Sequence, residues 1–90
     1  MYDVVPSGRF RKDYKLALKR GYNMELLEKV VDQLAAGKPL DKKYRDHVLS
    51  GSYDGIRECH ITSDWLLLYD IIETELALLL LRTGTHSDIF

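Results

Sequence analysis

The sequence has one cysteine, Cys59, in 90 residues. An internal disulfide is therefore excluded, and without a CxxC pair there is no thiolate zinc cluster. Long apolar runs are also missing. The longest, Leu76 to Leu81, is six residues, far short of the roughly 20 that a membrane-spanning helix needs. The opening Met1-Tyr2-Asp3-Val4-Val5-Pro6 lacks the basic start and apolar stretch of a secretory leader. Neither sign of charge dominates: the net charge is −1, which argues against holding nucleic acid by bulk electrostatics. No repeat or low-complexity stretch is visible. The absence of a P-loop, a GxGxxG and a GxSxG removes the nucleotide-binding and serine-hydrolase classes that those motifs would signal. What remains is an ordinary globular composition, 46% hydrophobic and 30% charged. The expectation is one cytoplasmic domain spanning residues 1–90.

The charge is unevenly spread. Residues 1–53 carry eleven Lys/Arg and seven Asp/Glu, a net of +4, whereas residues 54–90 carry two and seven, a net of −5. Arg9, Arg11, Lys12, Lys15, Lys19 and Arg20 crowd into one short stretch. They read either as the solvated face of a helix or as a positive surface for phosphates or an acidic partner.

Tyr2 to Val5 is a short extended run stopped by Pro6. Ser7 can cap a helix in which Phe10, Tyr14, Ala17 and Leu18 recur at helical spacing, with Gly21 at its end. Asn23 caps a second helix, where Tyr22 and Leu27 have the spacing of a hydrophobic staple. Leu27, Val30, Val31 and Leu34 form its buried stripe, and Gly37 and Pro39 stop it. Residues 40–55 read as a polar connection. Extended segments follow at roughly 56–62, 65–72 and 75–82, linked by the short turns Ser63-Asp64 and Glu73-Thr74. The predicted fold is α+β, in the order β-α-α-β-β-β, with an antiparallel sheet and a two-helix hairpin packed on one face.

The last two strands do not alternate. Trp65 to Tyr69 and Leu76 to Leu81 put apolar side chains on both faces of the sheet. Either the chain's own loop and C-terminal tail cover the second face, or a partner does.

All three histidines, His47, His60 and His86, fall after residue 46. Strand parity puts Ile56, Glu58 and His60 on one face and Arg57, Cys59 and Ile61 on the other. Cys59 and Ile61 suit the helix-covered core, so Glu58 and His60 should face away from it. The same parity groups Leu78, Leu80 and Arg82, and Arg82 joins Glu58 and His60 if the registers cooperate. A carboxylate, an imidazole and a guanidinium on one concave surface can move protons and stabilise an anion. A metal is not expected, because the histidines lie 13 and 26 residues apart with no HxxxH pair. Cysteine nucleophile chemistry is not expected either, since Cys59 falls on the core face. The tail from Arg82 to Phe90 is rich in hydrogen-bonding groups and ends on an aromatic ring. It either frays or places an acid or base beside a ring on which a nucleobase stacks.

Four stretches carry a resemblance: Tyr44-Arg45-Asp46-His47-x-Leu49-x-Gly51-Ser52, Arg57-Glu58-Cys59-His60-Ile61, Asp64-Trp65-Leu66-Leu67-Leu68-Tyr69 and Arg82-Thr83-Gly84-Thr85-His86-Ser87. Together they resemble YafQ-type toxins of the RelE/ParE superfamily of bacterial toxin–antitoxin systems. The likeness runs from Tyr44 to Phe90 in motif detail, and the helical hairpin before it matches the family layout.

The resemblance implies an endoribonuclease that cuts messenger RNA in the ribosomal A site and is neutralised by a cognate antitoxin that wraps it. By position, His47, His60, Asp64, Trp65, His86 and Phe90 match residues tied to activity in such toxins. Glu58 and Arg82 match active-site positions in some relatives, while other superfamily members use Lys, Arg and Tyr instead of this histidine set. RNA can be cut without a metal or cofactor when its 2′-OH attacks the adjacent phosphorus, given a base, an acid and a cation. On this basis His86 is the acid or base, His60 or Glu58 its counterpart, and Arg82 the phosphate clamp. His47 and Asp64 orient, and Trp65 and Phe90 contact bases or shape the pocket. The free toxin is expected to be monomeric. The alternatives are a ParE-like toxin that inhibits gyrase without nuclease chemistry, and a non-catalytic interaction domain.

Overall fold

The computed structural model describes all 90 residues. The elements in chain order are β1 (Asp3–Pro6), α1 (Gly8–Lys19), α2 (Met24–Ala35), β2 (His47–Val48), β3 (Arg57–Thr62), β4 (Trp65–Ile72), β5 (Ala77–Gly84) and the single-turn α3 (His86–Ile89). One five-stranded sheet is ordered β1-β5-β4-β3-β2. The α+β class, the helical hairpin and the three C-terminal strands are as the sequence predicts.

The helices begin where their caps lie. The Ser7 side chain accepts from the Phe10 N–H, and the Asn23 side chain accepts from the Glu25 N–H, satisfying donors that a helix start leaves free. Phe10, Ala17, Leu27, Val30 and Leu34 from the two helices pack against Cys59, Ile61, Trp65, Leu67, Tyr69, Leu78 and Leu80 on one sheet face. Leu18, expected on that stripe, is instead about half exposed.

The sheet is mixed rather than antiparallel. β1 runs parallel to β5, pairing Asp3 with Ala77 and Pro6 with Leu80, whereas the other pairings are antiparallel. Two intervening helices return the chain to the same end of the sheet, and a parallel neighbour requires that kind of crossover. The polar connection also contains a strand. His47 and Val48 pair with Glu58 and Arg57, too short a ladder to leave any periodicity in the sequence. β5 starts two residues later than expected. A 3₁₀ turn at Glu73–Glu75 and the left-handed Leu76 (φ 50°) take up the slack.

β4 is the central strand, and Trp65 to Tyr69 are all buried. Trp65, Leu67 and Tyr69 face the helices. Leu66 and Leu68 point the other way and pack with Ile89, Leu49, Tyr53, Ile56 and Leu81. The second apolar face is therefore covered by the chain's own loop and tail. No helix is long and apolar enough to cross a membrane.

Candidate active site

The non-helical face of the sheet carries the histidines. Register aligns His47, Glu58, Leu68 and Arg82 in one row across four strands. The next row pairs His60 with Leu66 and Leu66 with Gly84, two residues before His86. The strand spacing puts about 10 Å between the His60 and Gly84 backbones. The face thus has two polar banks, with Leu66 and Leu68 buried between them.

The first bank is a carboxylate between two imidazoles. Glu58 Oε1 lies 3.4 Å from His47 Nε2 and 3.6 Å from His60 Nε2, and the two rings are 6.4 Å apart. The Glu58 side chain is only 6% exposed and the His60 side chain 20% exposed. Glu58 Oε2 and His60 Nδ1 are buried and have no hydrogen-bond partner within the protein. Such groups are costly in a fold and are a feature of sites that receive a ligand. His47 is exposed but fixed: its Nδ1 meets the Arg45 carbonyl at 2.6 Å. A carbonyl only accepts, so Nδ1 carries the hydrogen and Nε2 is the atom turned to Glu58. The chain entering β2 is fastened by Asp46, which accepts from Arg57 (2.9 Å) and the Tyr69 hydroxyl (2.5 Å). Burial first, and then Asp46, pushes the Tyr69 hydroxyl above its ordinary range.

The second bank is the tail. α3 begins with a capping box in which Thr85 and Asp88 each accept from the other's backbone N–H. Arg20 at the end of α1 grips Asp88 through two bonds, 2.6 and 3.1 Å. The Asp88 carboxyl is held well below the usual carboxylate range, chiefly by Arg20 and then by the Thr85 N–H. Ile89 anchors the turn on Leu66 and Leu68. His86 and Phe90 remain exposed, with ring centroids 4.8 Å apart, and Phe90 meets Tyr53 edge-on at 5.5 Å. The tail does not fray; it is tied down at both ends.

Arg82 reaches this bank by an irregularity. Leu78 and Leu80 face the helices, but the register shifts between Leu68 and Tyr69, leaving Leu81 without a partner. Arg82 therefore does not share their face as simple alternation predicted; it lies opposite Leu68, beside the tail. Asp13 of α1 accepts from its Nε (2.7 Å) and Nη2 (3.3 Å) and from the Thr83 N–H (3.1 Å). Asp13, aided by Tyr53, raises the Arg82 pKa further. Nη1 is the nitrogen that Asp13 does not engage.

Two expected residues stand apart. Trp65 is 4% exposed, on the helix-covered side. Its Nε1 donates to Thr83 Oγ1 (2.8 Å), which donates to the Leu66 carbonyl (2.8 Å), and its ring packs against Tyr22 at 4.9 Å. Trp65 is thus a core residue whose edge borders the groove beside Asp64, a position that shapes the surface rather than offering a free ring to a base. Asp64 is exposed at the β3–β4 turn, in a shallow groove with Tyr22, Asn23 and Trp65. It forms no hydrogen bond or ion pair with the histidines. Cys59 is fully buried, and burial pushes its thiol up to about 12. Tyr53, Asp13 and the Arg20–Asp88 pair were not singled out from the sequence. Of these, only the Thr85-x-x-Asp88 spacing is a readable signal.

The model of a bacterial toxin of type II toxin–antitoxin systems, YafQ, matches residues 2–90. The chain belongs to this family. It is 40% identical over 89 residues to the mRNA interferase toxin YafQ of Escherichia coli K12, covering 98% of this chain and 95% of that one. A crystal structure of a metal-bound toxin from Helicobacter pylori superposes with a TM-score of 0.94 at 44% identity, over 100% of both chains. YafQ in the E. coli DinJ–YafQ complex gives 0.89 at 38% identity, over 100% of this chain and 99% of that one. In this YafQ-family chain no three His, Cys, Asp or Glu side chains converge closely enough to hold a metal ion. The His47–Glu58–His60 group lies at ion-pair rather than ligand spacing, 3.4 and 3.6 Å.

Proposed function

We propose that this YafQ-family toxin, an mRNA interferase and so an endoribonuclease, cuts message presented in the ribosomal A site by metal-independent acid–base catalysis. The observation that carries this is the pair of facing banks: Glu58 between two imidazoles on one side, and His86, Phe90 and Arg82 on the other.

The RNA ribose–phosphate lies between the two banks, above the loop and tail residues that cover Leu66 and Leu68. The 2′-OH attacks phosphorus and gives its proton to the Glu58–His60 pair. The bond from phosphorus to the 5′-oxygen breaks, and His86 supplies the proton that this oxygen needs. Base and acid on opposite sides suit an in-line displacement. Arg82, oriented by Asp13, turns Nη1 to the phosphoryl oxygens, where charge builds in the transition state. His47 holds Glu58 in place. Phe90, braced by Tyr53 and His86, stacks on a base. Asp64, apart from both banks, takes no proton role in this scheme.

A cognate antitoxin is the proposed partner, and the free toxin is proposed to be a monomeric single domain in the cytoplasm. An antitoxin that wraps the toxin would meet its basic α1 face. The test is to incubate the protein with actively translated message and map the ends. Cuts confined to translated message, with 5′-hydroxyl and 2′,3′-cyclic or 3′-phosphate ends, support the mechanism. Uncut message with inhibited gyrase, or no effect on either, would replace it.

A further inference from the structure

His60 also forms part of a second wall. β2 pairs only with Arg57 and Glu58, so the outer edge of β3 from His60 to Thr62 has no neighbouring strand. A cleft of about 360 Å³ opens against that edge. Lys29 of α2 lies on one side, and Lys43, Tyr44 and Arg45 of the turn before β2 on the other. No acidic side chain lines the cleft, and none of its three cations enters a salt bridge. In a protein of net charge −1, this is a local concentration of uncompensated positive charge. The turn that carries two of the cations is shaped by local contacts. Lys43 Nζ stands 5.2 Å from the Tyr44 ring centroid. Arg45 has a left-handed backbone (φ 49°), and its carbonyl is fastened to His47.

We infer that this cleft is a subsite for an RNA phosphate next to the scissile one, held by Lys29, Lys43 and Arg45. The inference rests on the proposed RNA cleavage. A strand whose reacting phosphate lies beside His60 can continue past that residue into the cleft. Cations placed there add affinity and fix the direction of the strand without reading sequence.

The test uses a short RNA with 2′-O-methyl groups throughout, which binds but has no nucleophile. Its affinity for the full-length toxin is measured over a series of salt concentrations without ribosomes. The variant K29Q/K43Q should bind roughly tenfold more weakly at low salt. Its slope of log affinity against log salt should fall by about 0.7 for each phosphate released. K29R/K43R should keep both values and show that the scaffold tolerates change there. K12Q/K15Q removes the same charge from exposed positions on α1 and should change little. Unchanged binding by K29Q/K43Q, or an equal loss in K12Q/K15Q, would overturn the subsite. A loss confined to ribosome or antitoxin binding would assign the cleft to ribosomal RNA or to an acidic protein segment, and overturn it too. If the parent toxin cuts RNA while K29Q/K43Q binds like the parent, only the subsite falls. If the parent neither binds nor cuts RNA, the proposed function falls with it.

Discussion

Glu58 and Trp65 both carry polar atoms into the interior, yet only Trp65 has its polar atom satisfied there. Trp65 Nε1 ends a closed chain through Thr83 to the Leu66 carbonyl, whereas Glu58 Oε2 is unpartnered. The two residues should therefore respond oppositely to substitution. Trp65→Ala should cost about 3–5 kcal/mol of stability, with lost activity following the unfolded fraction in a thermal melt. Glu58→Gln keeps the shape and removes the charge. It should leave the melting temperature nearly unchanged while single-turnover cleavage falls by roughly 10²-fold or more. His86 is exposed, so His86→Gln should fold normally and lose about 10²- to 10⁴-fold in cleavage. Near-normal cleavage by that variant would remove His86 from the mechanism. At this scale the sequence was legible where parity sufficed: Glu58 and His60 were placed on the face away from Cys59. It was silent on the depth of Trp65, because motif position does not say which side of a central strand a side chain takes.

Among the elements, α3 depends most on distant help. A single turn is not stable alone; Arg20 and the capping box hold it. Because Asp88 has a depressed pKa in the fold, its anchoring is fully present above the ordinary Asp value of about 3.9. It is lost as pH falls below that and through the folded value. Protection of the amides of residues 85–90, taken relative to their intrinsic exchange rates, should therefore hold at neutral pH and fall in acid. In Arg20→Gln the loss of protection should begin at higher pH, and cleavage should fall with no loss in the core. Helix caps and the β3–β4 hairpin were readable because they are local. The two-residue β2, the late start of β5 and the bulge at Leu81 were not, since each is decided by pairing partners rather than by neighbours in sequence.

For the whole molecule, two expectations concern what it binds. Chelation with EDTA, at levels that spare ribosomes, should leave cleavage in place, because the proposed acid, base and clamp are all side chains. Recovery of a chelated toxin by zinc or manganese would count against this. Antitoxin capture should slow with added salt more than release quickens, since charge mainly steers encounter. Reversing several of Arg9, Arg11, Lys12, Lys15 and Lys19 to Glu should weaken capture, measured as an association rate, while cleavage persists. The basic stretch was plain in the sequence, but the cations around the cleft were not, because Lys29 and Arg45 meet only through tertiary packing. The β1–β5 pairing sets the order of events during synthesis. Asp3–Pro6 is made first, yet its only partner strand is Ala77–Gly84. The helical hairpin forms from local contacts, whereas this ladder must wait for a loop of some seventy residues to close. The emerging chain consequently holds its first strand unpaired for most of translation. It faces no His86 across the sheet until the final strand has left the ribosome, so the two banks of the proposed site cannot come together while the chain is still being made.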